Sequence, residues 1–286
     1  MNGMCWWAGL AWCTAACAAA QAAPKQAAPK PAKPVAPAPA NLDKRLADCE
    51  GLPDRARVVR YEPVGADALY AVTKSTERYL VFPTQEGVAC AVFAMARPAA
   101  KTKGAFGGGT EALALLTRPC GGGSCATAIA VRGKDERPVA ALRLEAGCNE
   151  GAELRPLPLF RGRDSLELVC RTSAGAGWNE ARMLVDGTGD ALAVLYQLDT
   201  GSYVALTQEE QRAGACPTRP IGAIRVEQTG DKPVLRVVDP AAGELQDGKG
   251  TLPARQLAWD AKQSEFTPTG APDLPTKVDA RAGCKR

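Results

Sequence analysis

The sequence predicts an all-β fold, with sandwich-like or propeller-like antiparallel sheets stapled by disulfides. Three observations carry this expectation. Short apolar runs rich in Val, Leu, Ile and Tyr recur along most of the chain, separated by Gly, Pro, Asp and Ser. Long amphipathic helical patterns are missing from the 286 residues. The chain also carries 11 cysteines and no histidine, a composition that points to cystine cross-links rather than to thiol or imidazole chemistry.

The opening, MNGMCWWAGLAWCTAACAAA, is apolar and then small, and reads as a secretory signal over residues 1–20. It is too short and too alanine-rich at its end for a permanent membrane span. Within it, TAAC at 14–17 resembles a bacterial lipoprotein box, with Thr14 where a large aliphatic residue is usual. That resemblance implies lipidation of Cys17 and membrane attachment through it. The alternative is cleavage after Ala18-Ala19-Ala20 without lipid.

Residues 21–41, QAAPKQAAPKPAKPVAPAPAN, form a Pro/Ala/Lys-rich linker. Repeated proline removes backbone donors and favours polyproline II, so this segment is expected to be disordered and to reach about 60 Å when extended. Of the formal net charge of +4, three units belong to Lys25, Lys30 and Lys33. The rest is close to neutral, which gives no electrostatic footprint for nucleic acid.

The body is expected to span 42–286, with two units of structure meeting near 101–125, a Gly-rich stretch. Leu42 and Leu46 predict a helical turn or two before Cys49. Strands are predicted over 56–61, 68–73, 78–82, 88–96, 126–132, 139–145, 165–172, 181–186, 191–198, 202–207, 221–226, 234–239 and 255–260, with SEFTPT paired to the last of these. TQEEQRAG at 207–214 predicts a short helix, with Thr207 and Glu210 as a capping box and Gly214 as its stop.

Removing Cys5, Cys13 and Cys17 with the leader or its anchor leaves Cys49, Cys90, Cys120, Cys125, Cys148, Cys170, Cys216 and Cys284. An even number in an exported chain predicts disulfides among these eight. There is no Cys-x-x-Cys pair for a zinc cage or a dithiol redox site. The Gly-rich loop between Cys120 and Cys125 suits a local clip. No cofactor or metal is expected.

The absence of histidine removes Ser-His-Asp and Cys-His mechanisms and His-ligated metals. Carboxylates remain. Asp199-Thr200-Gly201-Ser202, between two apolar runs, resembles the catalytic loop of aspartic peptidases. That mechanism needs two facing carboxylates sharing a proton, and no second Asp-Thr-Gly or Asp-Ser-Gly occurs here. The preferred reading is a hairpin corner at Asp199, with Gly201 supplying positive φ.

Asp186 and Asp190 in LVDGTGDALAV offer calcium oxygens, but the chain returns at once to strand pattern, so a hairpin turn is expected. GELQDGKGT at 243–251 lacks the hydroxyl residue after Lys249 and the helix that a phosphate loop requires, and reads as a polar loop. Ser124 in GGSCA has no base to activate it. Trp259 is expected in the core. Trp178, in a Gly-rich stretch, is a ligand-contact candidate.

Together these features predict an exported protein: periplasmic, outer-membrane-anchored or extracellular. Its β body is expected to be a non-catalytic binding or scaffolding module for an envelope protein or wall polymer. The alternative is a carboxylate-dependent hydrolase, peptidase-like at Asp199 or a glycosidase with a carboxyl pair elsewhere.

Overall fold

The computed structural model describes Leu46, Cys49 and residues 51–53, 57–86, 88–117, 126–144, 147–188, 191–212 and 215–281. Residues 1–41, which hold the expected signal segment, the expected linker and Cys17, lie outside these residues, as do Cys120, Ser124, Cys125, Asp190, Gly214 and Cys284.

The fold is nearly all β. β1 (Val58–Val64), β2 (Ala68–Thr73), β3 (Arg78–Phe82) and β4 (Ala91–Ala94) form a four-stranded meander. The central sheet has eight strands. Its order is β5 (Ala100–Phe106), β6 (Gly109–Leu116), β7 (Thr127–Arg132), β8 (Pro138–Leu144), β12 (Ala191–Val204), β11 (Gly177–Thr188), β10 (Arg163–Ala174) and β9 (Gly151–Phe160). Every pairing in it is antiparallel except β8 with β12, which meet in parallel at Ala141 and Ala191. The two edge strands β5 and β9 approach one another, so this sheet is a nearly closed barrel. A capped turn of helix, α1 (Gln208–Arg212), leads to the third sheet. There β13 (Ala223–Gln228), β14 (Val234–Val238), β15 (Lys249–Asp260) and β16 (Glu265–Pro268) run in order, with β17 (Leu274–Asp279) on β15. The capping box forms as expected: the Glu210 N–H donates to Thr207 Oγ1 (3.2 Å) and the Thr207 N–H to Glu210 Oε2 (2.8 Å).

Burial explains the sequence pattern. β6 and β7 carry unbroken apolar runs, Ala112–Leu116 and Ala128–Val131, because both their faces are covered there. Ala112, Ala114, Ile129 and Val131 face the barrel core with Leu166, Leu168 and Met183. Leu113, Leu115, Ala128 and Ala130 face outward and pack on Tyr70, Leu80 and Phe93 of the first sheet. The third sheet covers another part of the barrel's outer surface, where Leu159, Leu184 and Leu198 meet Leu235, Leu257, Phe266 and Trp259. Trp259 thus packs as expected, edge-on to Phe160 at 5.4 Å between centroids.

Disulfides join Cys49 to Cys90 and Cys148 to Cys170. Cys216 is also disulfide-bonded. The first cross-link ties the segment before β1 to the β3–β4 connection, beside buried Leu46. The second lies within the barrel core.

Three local results differ from the sequence expectation. The described part of 101–125 forms the β5–β6 hairpin inside the central sheet. β9 and β17, which contain Pro156, Pro158 and Pro275, are strands; β9 sits at an edge of its sheet, where a missing N–H is tolerated. The chain does not turn back at Asp199. The two predicted runs are one continuous strand, β12, and the Asp-Thr-Gly segment is a bulge within it.

Candidate functional site

The bulge at Thr200 builds the site. Ala181 of β11 faces Asp199, and the neighbouring Glu180 faces Gly201, so Thr200 is the extra residue. Gly201 takes φ +104°, which is why glycine stands there. Thr200 is fully buried, and its hydroxyl contacts the Glu180 carbonyl (3.0 Å) and Glu180 Oε1 (3.1 Å). The Thr200 carbonyl accepts the N–H groups of Ile221 and Gly222, both at 2.9 Å, which ties β12 to the chain entering the third sheet.

The inserted residue also resets the alternation of side chains. Asp199 and Ser202 come to the same side of the sheet, opposite Ala181 and Asn179. There a cleft of about 370 Å³ opens, lined by Cys170 and Thr172 of β10, Asn179, Ala181 and Met183 of β11, and Gln197, Asp199 and Ser202 of β12. Ser202 Oγ donates to Asn179 Oδ1 at 2.6 Å. Asp199 and Gln197 are exposed, and among the described residues no cation or donor engages the Asp199 carboxylate.

The opposite face of the same strands carries a closed ring of alternating charge. Glu153 and Arg155 of β9, Glu167 and Arg171 of β10, and Glu180 and Arg182 of β11 compose it. Arg171 contacts Glu153 (2.7 Å) and Glu180 (3.2 Å); Arg182 contacts Glu180 (3.4 Å) and Glu167 (3.2 Å). Arg155 closes it on Glu153 (2.9 Å) and Glu167 (3.9 Å). The hydrogen bonds from Arg171 and Arg155 hold the Glu153 carboxyl below the usual carboxylate range.

This ring bears on the peptidase resemblance. Glu180 is the acid nearest in register to Asp199, but both its oxygens are bound to Arg171, Arg182 and Thr200 on the other face. The arrangement that lets two acids share one proton is therefore not assembled at Asp199 from the described residues. Elsewhere Asp186 is buried and bound by Arg163 (2.6 Å) and Ser165 (2.8 Å), which makes it an internal ion pair. Beyond it β11 and β12 pair antiparallel as far as Thr188 and Ala191. Lys249 begins β15 and pairs with Asp279 (3.5 Å), and Gly248 before it takes φ +79° in a tight turn.

Trp178 lies on β11 rather than in a loop. Its ring stacks on Tyr203 of β12 (5.1 Å, 15°), and the Arg171 guanidinium sits over it from β10 (5.0 Å). Neighbours from both flanking strands thus occupy the tryptophan, which acts as a cross-strand clamp.

Two other clefts lie around the first sheet. One of about 430 Å³ and one of about 400 Å³ share Arg78, which is bound to Glu136 at 2.6 Å. The companions of Asp199 were not legible as a set in the sequence: Gln197 follows from strand spacing, but sheet register, not spacing, brings Thr172 and Asn179 beside it. Compared with protein-family models, curated proteins and solved structures, the chain matches none.

Proposed function

We propose that the protein is an exported cell-envelope protein whose β body is a non-catalytic binding or scaffolding module, recruiting an envelope protein or wall polymer. The observation that carries this reading is the Asp199 cleft. It offers one exposed carboxylate, neutral hydrogen-bonding groups and an apolar floor. That composition suits recognition, whereas proton transfer would use two acids of divergent affinity. Among the described residues, hydrogen bonds hold the carboxyls of Glu136, Glu153, Glu210 and Glu227 below the usual carboxylate range. A general acid needs the reverse. The disulfides support an oxidising compartment, and lipidation at Cys17 would hold the body at a membrane.

The test is co-sedimentation of the purified protein with isolated envelope and wall polymer, beside Asp199→Asn. Binding by the parent chain, weakened in the variant, is expected. Hydrolysis of protein or glycan that disappears in Asp199→Asn would overturn the proposal.

A further inference from the structure

We propose that the Asp199 cleft takes a primary alkylammonium group, as carried by a lysine side chain or by a diamino acid of a wall peptide. This inference rests on the binding function proposed above and names its ligand chemistry.

Asp199 is exposed on β12, and among the described residues no cation engages it. The arginines of the neighbouring strands, Arg171 and Arg182, are committed to the ring on the opposite face. Glu180 also borders the cleft, but its carboxylate lies on the opposite face, bound by the same two arginines. The cleft therefore presents one uncompensated negative charge.

Shape and polarity narrow the class. Ala181, together with the nearly buried Met183 and Cys170, gives an apolar floor, suited to a methylene stem. Gln197 and Thr172 place neutral acceptors on the same lining as Asp199. An ammonium is compact and carries three donors, so it can engage a carboxylate and neutral oxygens together, whereas a guanidinium is best matched by a planar bidentate acceptor. The volume of about 370 Å³ lies in the range of small-ligand sites.

The test uses methionine methyl NMR on the full chain, because Met183 lines the cleft while Met95 lies in a separate core and serves as a control. The probes are 1,5-diaminopentane, N-acetyl-lysine amide and pentan-1-ol. The expected result is a saturable shift of Met183 with both amines and none with the alcohol, while Met95 stays still. Asp199→Asn should weaken amine binding about three- to fivefold, as expected for one exposed charge contact. Its Met95 resonance should remain at the parent position, which reports an intact fold. Equal shifts with pentan-1-ol, or unchanged amine affinity in Asp199→Asn, would overturn the ammonium assignment. If the amines leave Met183 unmoved while envelope material still shifts it, the ligand class is wrong and the binding function stands. If envelope material also leaves Met183 unmoved and does not sediment the protein, both fail.

Discussion

Replacing Glu180 with alanine removes the carboxylate shared by three groups: Arg171, Arg182 and Thr200. The Glu180 side chain is 6% exposed, against 27% and 23% for the two arginines. Breaking a buried pair by deleting one partner costs about 3–5 kcal/mol, because the other charge stays buried. Here each arginine keeps a second carboxylate and some access to water, so the expected loss is about 2–3 kcal/mol. Glu153 belongs to the same ring, but its side chain is 41% exposed. Its removal should cost about 0.5–1 kcal/mol, the value of a screened surface pair. Urea unfolding of the two variants measures both numbers, with an unchanged slope as the sign that the denatured state is comparable. Losses within about 0.5 kcal/mol of each other would refute the claim that depth in the ring, and not membership of it, decides the contribution.

Replacing Cys148 and Cys170 together by alanine opens a loop with a sequence separation of 22 inside the barrel core. Chain entropy alone predicts a loss of about 3 kcal/mol, and thermal unfolding at neutral pH would register it. In Gly222→Ala the new Cβ would stand 2.6 Å from Thr200 Cα and 2.9 Å from Thr200 Cβ. Neither backbone can yield freely, so a loss of about 1–3 kcal/mol is expected, with faster amide exchange at Ile221 and Gly222; parent-like protection there would count against the bulge as an anchor. Acid should destabilise the body through Glu153, whose carboxyl Arg171 holds down first and Arg155 second. A depressed folded-state value gives stability that is present above the ordinary carboxylate range, near pH 4.3, and lost as pH falls through the folded value. Unfolding at pH 3 and pH 6 should show this, and Arg171→Ala should reduce the difference.

The regular strands of the first sheet were legible because their apolar runs stand between clear turn residues: 68–73 and 78–82 coincide with β2 and β3. β9 was hidden by Pro156 and Pro158, which a central strand would reject but an edge strand accepts. The long strand β12 read as two because Asp-Thr-Gly is turn chemistry; Gly201 does take a turn-like φ, but the strand absorbs it as a bulge. The same bulge shapes the site itself. Asp199 stood out in the sequence, but its surroundings depend on a one-residue register shift that no local pattern encodes. The charge ring was equally hidden. Glu153, Arg171 and Glu180 look like ordinary outward positions until β9, β10 and β11 are laid side by side. Trp178 stood out for its Gly-rich setting, while the Tyr203 and Arg171 contacts that occupy its ring come from the two adjacent strands.

Export and cross-linking are decided together by an intact mass of the protein recovered from host membrane and soluble fractions, with thiol alkylation before and after reduction. A processed chain is expected, with Cys49, Cys90, Cys148, Cys170 and Cys216 unreactive until reduced, and added acyl mass if Cys17 carries lipid. A full-length chain with 11 alkylated thiols before reduction would contradict it, placing the protein in a reducing compartment without its cross-links.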